Sequence, residues 1–179
     1  MLFVPAAVPP HKQDRPLAPA AHRLQMLALA TGGHDAFGIA TDEIDRGGVS
    51  YTVDTLARLA ARHPDDSLLL ILGPDAVAEL PGWREPRRIL ELAEIVAVER
   101  ESVDDVRSLC HAGGLDDLLG PDRLARLVAT RVRVPAIGIR SSDLRAAVAA
   151  GTSIRYRTPR AVERYIEAEG LYRDPPPAG

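Results

Sequence analysis

Two hydroxyls and one guanidinium lie close together in the chain at Ser141, Ser142 and Arg145. The sequence predicts a helix that begins near Asp143 and ends before Gly151, with the two serines as its N-cap residues. A helix N-terminus carries free N–H groups and the positive end of the helix dipole, and hydroxyl or guanidinium donors strengthen it. The pattern is compatible with a phosphate-binding site, but from these residues alone an ordinary capped helix is the favoured interpretation.

Three further segments carry side chains that could contact a ligand. Tyr51 and Thr52 begin a predicted helix after a glycine turn, with Ser50 or Thr52 as its cap. Asp75 follows the clearest predicted strand, at the end where open α/β sheets bind ligands. Trp83 is the single tryptophan and could stack on a flat ring. The structural alternatives are helix capping for Thr52 and Asp75, and core packing for Trp83.

A proline-stiffened loop ends at His11 and Lys12. Pro9 and Pro10 restrict its backbone, so these two cations could be presented with little entropy left to lose. A solvated, proline-rich surface turn is the alternative, and from the residues alone it is the favoured interpretation.

Several kinds of site are excluded by spacing. Cys110 is the only cysteine, which rules out an internal disulfide and suggests a reducing compartment. Cys110 and His111 are adjacent, so they do not face each other as a catalytic pair would. No G-x-G-x-x-G follows a strand, and neither a Walker A sequence nor metal-ligand spacing is present, so no metal site is predicted.

Composition places the chain among cytoplasmic, soluble globular proteins. Its 179 residues are 46% hydrophobic and 26% charged, which fits one domain over residues 1–173. A net charge of −3 gives no reason to expect a nucleic-acid surface. No apolar run is long enough to span a membrane. Residues 174–179 are predicted to be a disordered tail, and the formation of a homo-oligomer is left open.

Short strands alternating with helices predict an open, parallel α/β sheet. Residues 67–72 are continuously apolar and predict a strand covered on both faces, and Val134, Ile137 and Ile139 predict another buried strand. The remaining strands are predicted at residues 1–4, 37–44 and 94–98, and the remaining helices at 19–31, 85–93, twice within 101–131, and from 159 to Gly170.

The ordered set of motifs resembles bacterial nicotinate-nucleotide adenylyltransferases, of the nucleotidyltransferase superfamily. Each motif is weak alone, but the set is specific and spans nearly the whole chain. The motifs are L-F-V-P-A with P-P-H-K (2–12), A-x-H-R-L-x-M-L (20–27), R-G-G-x-S-Y-T-V-D-T-L (46–56), L-G-x-D with L-P-x-W (72–83), A-I-G-I-x-S-S-D-L-R (136–145) and S-I-R-Y-x-x-P-x-x-V-x-x-Y-I (153–166).

This resemblance implies a Rossmann-like nucleotidyltransferase sheet with helices on both faces. It further implies that nicotinate mononucleotide attacks the α-phosphate of ATP, giving deamido-NAD and pyrophosphate, with Mg²⁺ on the phosphates. The residues expected to bind ATP are His11, Lys12, Arg100, Ser141, Ser142 and Arg145 at the phosphates and Asp75 on the adenylyl side. Those expected in the nicotinate pocket are Tyr51, Thr52 and Trp83.

The sequence departs from the family pattern in three places. The family's first strand and helix, with a glycine-rich loop and an H-x-G-H motif, precede L-F-V-P and are missing from these 179 residues, so no catalytic residue is assigned. Arg140 replaces a serine, and residues 99–102 keep only Arg100 of the usual P/S-R-P-G. We therefore expect at most trace transfer by this form, since losing one charge stabiliser costs about 10²–10³ in rate.

Three alternatives remain from the sequence. A start codon assigned too far downstream is the simplest account of the missing segment, and a non-catalytic nucleotide-binding remnant is the second. A pantetheine-phosphate adenylyltransferase-like enzyme is the third, but the R-G-G-V-S-Y-T and L-P-x-W segments argue against it.

Overall fold

The computed structural model describes residues 1–10, 17–100 and 105–173. The chain divides into two compact units, one formed by Met1–Ser50 with Gly138–Gly179 and the other by Tyr51–Ile137. Every strand pair in the described residues is parallel, as predicted. The assignment of residues 1–173 to a single domain stays a prediction, and the predicted tail lies outside the described residues.

The elements follow one another in the alternating order that the sequence predicts. They are β1 (Leu2–Phe3), α1 (Ala20–Thr31), β2 (Gly38–Ile39), α2 (Asp42–Arg46), α3 (Thr52–Arg62), β3 (Leu69–Leu72), α4 (Pro74–Glu79), a 3-10 turn (Leu80–Gly82), α5 (Pro86–Leu92), β4 (Glu94–Arg100), α6 (Val106–Gly113), α7 (Leu115–Thr130), β5 (Val132–Val134), α8 (Ser141–Ala149) and α9 (Arg160–Ala168).

The first unit packs α8 and α9 together with α1, and it contains the paired strands β1 and β2. Val162 and Ile166 are one turn apart on α9, so both reach the same small core, which also buries Ile154. His22 Nδ1 on α1 lies 2.7 Å from the hydroxyl of Tyr165 on α9, and this hydrogen bond joins the two helices. The spacing of the apolar residues on α9 therefore determines which face of this helix packs against the core of the first unit.

The second unit contains the larger core, built on a sheet in the order β3–β4–β5. Leu72, the last residue of β3, pairs with Ala97, so β4 extends beyond the end of β3. The last residue of β4, Arg100, pairs with Val134 at the end of β5. Helices α4 and α6 approach each other closely at Gly113. A Cβ atom added to this glycine would lie 2.5 Å from the carbonyl oxygen of Ala78. The largest fully buried side chains of this core are those of Leu80, Ile89, Leu115, Val77, Val106 and Cys110.

The prediction that strand 67–72 is covered on both faces is wrong. Leu72 is buried, but Leu69 and Ile71 are 61% and 50% exposed. Side chains alternate across a strand, so these two residues share the face opposite Leu72. β3 is also an edge strand of its sheet. A continuous apolar run therefore did not indicate burial of both faces here.

The prediction of a strand across residues 37–44 is also wrong in its second half. β2 covers only two residues, and α2 begins at Asp42. Acidic residues in the first turn favour a helix N-terminus, and Thr41 Oγ1 donates a hydrogen bond to Asp45 Oδ2 at 2.6 Å. These local contacts outweigh the weak alternation on which the strand prediction depended.

The buried strand predicted through Val134, Ile137 and Ile139 is the third correction. β5 ends at Val134, while Ile137 and Ile139 are 69% and 43% exposed. Pro135 follows directly and has no N–H to donate to a strand ladder, so pairing with β4 stops there.

Candidate functional site

Tyr51, Trp83 and Arg84 form one cluster in the second unit. Tyr51 is the N-cap residue of α3, and Trp83 follows the 3-10 turn; both are partly buried against the core. The Arg84 guanidinium lies 4.7 Å above the centroid of the Tyr51 ring, a cation–π distance. Arg84, which the sequence analysis missed, therefore contacts one predicted pocket residue, Tyr51, and directly follows the other, Trp83, which packs against the same core.

The Arg84 guanidinium keeps its hydrogen-bonding capacity. Its nearest carboxylate oxygens belong to Asp54, 3.9 Å from NH1, and to Glu85, 3.6 Å from Nε. Both distances exceed those of a good charge-assisted hydrogen bond. The only sequence signal for this residue was a basic side chain directly after Trp83.

The indole nitrogen of Trp83 is in an unusual environment for a polar atom. This atom, Nε1, is buried and has no hydrogen-bond partner among the described residues. Buried indole N–H groups usually find an acceptor, and an unpaired one has a free-energy cost. This donor distinguishes Trp83 from a residue that only fills the core.

Thr52 begins α3, and neither Ser50 nor Thr52 caps it as predicted. No side chain caps this helix, and the Tyr51 carbonyl accepts from the N–H groups of Asp54 and Thr55 at 3.1 and 3.3 Å. Ser50 Oγ instead accepts a hydrogen bond from the Ala7 N–H at 2.9 Å, which removes it from the capping position. By helix geometry the N–H groups of Thr52 and Val53 have no partner inside the helix, so this end favours a negative charge.

Asp75 and Arg100 follow the carboxyl ends of neighbouring parallel strands. Asp75 is exposed in the first turn of α4, directly after β3, and Gly73 rather than Asp75 is the N-cap residue. Arg100 is partly buried as the last residue of β4. Both therefore lie at the sheet edge where α/β proteins bind ligands.

Ser141, Ser142 and Arg145 lie on the first turns of α8 in the first unit. The prediction that the serines cap a helix starting near Asp143 is wrong, because α8 already begins at Ser141 and its N-cap residue is Arg140. The Ser142 hydroxyl donates to Asp143 Oδ1 at 3.0 Å, which is a side-chain contact and not a cap. All three predicted residues are exposed at one helix end. Ser141 and Arg145 are therefore accessible donors at this end, whereas the Ser142 hydroxyl would have to leave Asp143 to donate to a ligand. His11 and Lys12 lie outside the described residues.

Glu99 is a buried carboxylate beside Arg100 that the sequence analysis did not single out. Its oxygens accept hydrogen bonds from Arg131 Nε and Arg133 Nε, both at 2.9 Å, and from the Val106 N–H at 3.3 Å. Burial by itself raises the pKa of Glu99, but the hydrogen bonds from Arg133, Val106 and Arg131 lower it overall. Glu99 therefore ties the ends of β4 and β5 to the start of α6.

We expect Glu99→Gln to lower the melting temperature at neutral pH, because an amide cannot accept from both arginines. The lowered pKa means that ionised Glu99 stabilises the fold above its ordinary pKa, and this contribution is lost as pH falls through the folded-state pKa. Thermal unfolding followed from about pH 7 to about pH 3 should therefore show the gap between wild type and variant closing. Glu91→Gln is the control, since Glu91 forms an exposed pair with Arg88. A gap that stays constant with pH would contradict this account.

Cys110 and His111, the other reactive side chains considered in the described residues, do not form a second site. Cys110 is buried, and burial, with Asp116 and Asp105, raises its pKa to about 11, so it is a poor nucleophile. Neighbouring His111 is hydrogen-bonded through Nδ1 to Asp116 Oδ2 at 2.8 Å. Across residues 1–10, 17–100 and 105–173, no group of three acidic, His or Cys side chains could hold a metal ion. No helix in those same ranges is both long and apolar enough to cross a membrane.

Comparison with known proteins identifies one family. The cytidylyltransferase-like family model matches residues 1–147. Among similar proteins, a probable nicotinate-nucleotide adenylyltransferase of Roseiflexus castenholzii is 47% identical, covering 97% of this chain and 82% of that protein. Proteins with the same name from Thermomicrobium roseum and Thermus thermophilus are 41% and 40% identical, each covering 97% of this chain and 77% and 83% of those proteins.

Solved structures give the same fold. The nicotinic acid mononucleotide adenylyltransferase of Plasmodium falciparum, complexed with NaAD, matches with a TM-score of 0.66. That match covers 96% of this chain and 81% of the other, at 15% identity. The same protein complexed with APC matches with a TM-score of 0.65. At this identity the likeness shows a Rossmann-like nucleotidyltransferase fold, as the sequence analysis predicted.

Proposed function

The chain belongs to the cytidylyltransferase-like family and, within it, to the nicotinate-nucleotide adenylyltransferases, and from this premise we propose that it transfers the adenylyl group of ATP to nicotinate mononucleotide. The products are deamido-NAD and pyrophosphate, in the biosynthesis of NAD. The structural observation that supports this proposal most is the Tyr51–Trp83–Arg84 cluster beside the uncapped start of α3.

In this proposal the pyridine ring stacks on Trp83, while Tyr51 and Thr52 complete the pocket. A flat aromatic ring with an attached carboxylate needs a stacking surface and donors at its edge. Trp83 supplies the first, and the N–H groups of Thr52 and Val53, at the start of α3, supply the second.

ATP is proposed to bind the residues that the sequence analysis selected for it: His11, Lys12, Asp75, Arg100, Ser141, Ser142 and Arg145. The α8 N-terminus supports the serine and arginine assignments, because these exposed donors share the positive end of one helix. Asp75 is the one acidic member, and it is assigned to the adenylyl side of ATP.

The reaction is a single displacement at phosphorus. A phosphate oxygen of nicotinate mononucleotide bonds to the α-phosphorus of ATP, the bond from that phosphorus to the β-bridging oxygen breaks, and pyrophosphate leaves with the electron pair. No protein nucleophile is required, so the chain contributes alignment of the two substrates and neutralisation of charge.

Transfer from ATP generally uses a divalent metal ion, and we propose Mg²⁺. This ion usually binds through substrate phosphates and one or two carboxylates rather than inside a cage of protein ligands. Bound mainly through the phosphates of ATP, it would supply positive charge that offsets the negative charge on them. We also propose a cytoplasmic location, and the formation of a homo-oligomer stays a prediction.

Binding is the first test of this proposal, because it does not depend on the rate of chemistry. Calorimetry should show that ATP and nicotinate mononucleotide each bind, and that phosphopantetheine does not. Chromatography of long incubations should then show deamido-NAD and pyrophosphate in equal amounts. Binding of phosphopantetheine in place of nicotinate mononucleotide would favour the pantetheine-phosphate alternative. Binding of both proposed substrates with no product would favour a non-catalytic nucleotide-binding module. Binding of neither substrate would refute the proposed function.

A further inference from the structure

The guanidinium of Arg84 is held over the ring of Tyr51 at the start of α3. Its central carbon lies 4.7 Å from the ring centroid, and the Arg84 side chain is half exposed. A cation at this distance from an aromatic face is attracted by the ring. Because the attraction acts on the charge, it does not occupy the N–H donors of the guanidinium. Arg84 is therefore held in place and can still donate hydrogen bonds to a ligand.

The backbone around Arg84 is fixed on both sides. The Trp83 N–H donates to a carbonyl of the preceding 3-10 turn at 3.0 Å, and the carbonyl of Glu85, the N-cap residue of α5, accepts from the Ile89 N–H at 3.1 Å. Glu85 has a φ of 51° and a ψ of 56°, the left-handed region that residues other than glycine seldom adopt. It also precedes a proline, and the residue before a proline favours extended backbone. Strained backbone of this kind is concentrated at functional sites, where the surrounding structure holds it.

Two carboxylates lie near Arg84, but neither forms a close hydrogen bond with it. Asp54 Oδ2 is 3.9 Å from NH1, and Glu85 Oε1 is 3.6 Å from Nε. Ion pairs between partly exposed groups at such distances are weak. A ligand carboxylate that accepted two parallel N–H bonds from the guanidinium would be a stronger partner.

We propose that Arg84 is a specificity-determining residue, whose guanidinium binds the carboxylate on the pyridine ring and so distinguishes nicotinate from nicotinamide. The inference depends on the proposed function, in which that ring stacks on Trp83, the residue directly before Arg84. A carboxylate gains a charge-assisted pair with the guanidinium, whereas a neutral amide in the same place does not. The proposed function assigns the pocket to Trp83, Tyr51 and Thr52 and gives the Arg84 side chain no part.

The test compares nicotinate mononucleotide with nicotinamide mononucleotide, which differ only in this group. Dissociation constants are measured by calorimetry with the full chain, and weak binding is measured by competition. Arg84→Ala should weaken the binding of nicotinate mononucleotide about tenfold, the order of one charge-assisted hydrogen bond. The affinities for nicotinamide mononucleotide and for ATP should stay unchanged. Arg88→Ala, at an exposed arginine of α5 in the same unit, is the matched control and should change none of the three affinities.

Two further variants test whether the charge of Arg84 is responsible. Arg84→Gln keeps N–H donors but has no charge, so it should lose as much affinity for nicotinate mononucleotide as Arg84→Ala. Arg84→Lys keeps the charge without the planar group, so it should lose less. This comparison uses nicotinate mononucleotide alone, and it therefore decides the question even if nicotinamide mononucleotide does not bind.

Three outcomes would overturn the inference. These are unchanged affinity for nicotinate mononucleotide in Arg84→Ala, equal weakening of both pyridine nucleotides, and equal losses in Arg84→Gln and Arg84→Lys. Thermal unfolding shows whether each variant is folded during the titration, and if Arg84→Ala is not, the other two variants are judged by the same criteria. Wild-type chain that binds neither nicotinate mononucleotide nor ATP would refute the proposed function itself. Wild-type binding of both that is unaltered in the Arg84 variants would refute only this inference.

Discussion

Replacing Trp83 with alanine should weaken the binding of nicotinate mononucleotide about five- to 150-fold and leave the affinity for ATP nearly unchanged. Stacking of a base on an aromatic side chain is worth about 1–3 kcal/mol by alanine substitution, and the proposed pocket stacks the pyridine ring on Trp83. Both dissociation constants can be measured by calorimetry below the melting temperature of the variant. That precaution matters, because Trp83 also packs against the core of the second unit.

Two variants separate stacking from core packing. Trp83→Phe keeps an aromatic face but loses the buried Nε1–H group, so it should retain most of the affinity for nicotinate mononucleotide. Leu92→Ala removes another partly buried side chain from the same core and should lower the melting temperature with no preference between substrates. If Trp83→Ala weakened both substrates equally, Trp83 would belong to the core and not to the pocket.

Local signals explain why parts of the fold could be predicted. Pro159 stands at the start of α9, Gly170 has the positive φ of 61° that ends helices, and Val162 and Ile166 share one face. Each of these signals lies within the element that it predicts. Burial of β3 and continuation of β5 instead depend on what lies across the sheet. Hydrophobic runs carry no information about such partners, so Ile71 and Ile137 were predicted to be buried and are exposed.

The residues of the candidate site also fall into those that local sequence signals could identify and those that they could not. Serine, arginine and tryptophan at the ends of elements could be found from the sequence, since their position relative to a strand or helix end is local. Arg84 and Glu99 could not, because their importance arises from pairing with residues far along the chain. Glu99 lies opposite Arg133 only through the parallel register of β4 and β5. Arg84 reaches Tyr51 only through the fold of the second unit.

Removing Arg145 should reduce ATP affinity about ten- to 150-fold without changing the melting temperature. A charge-assisted phosphate contact is worth about 1.5–3 kcal/mol. Arg145 is exposed and forms no ion pair within the described residues, so Arg145→Ala has little structure to disturb. Ser142→Ala should likewise have little effect on stability, because its hydroxyl does not cap α8. Calorimetry with ATP and thermal unfolding measure the two quantities separately.

Arg140 makes this prediction sharper, because it adds a second positive charge at the same helix end. It is the exposed N-cap residue of α8, and its guanidinium could partly replace that of Arg145 at the phosphates. Such substitution would conceal part of the loss in the Arg145→Ala variant. The Arg140→Ala, Arg145→Ala double variant should therefore lose more binding free energy than the two single variants together. Arg164→Ala controls for the loss of one exposed positive charge. If the two changes were strictly additive and neither single variant altered ATP affinity, the assignment of the ATP phosphates to this helix end would be wrong.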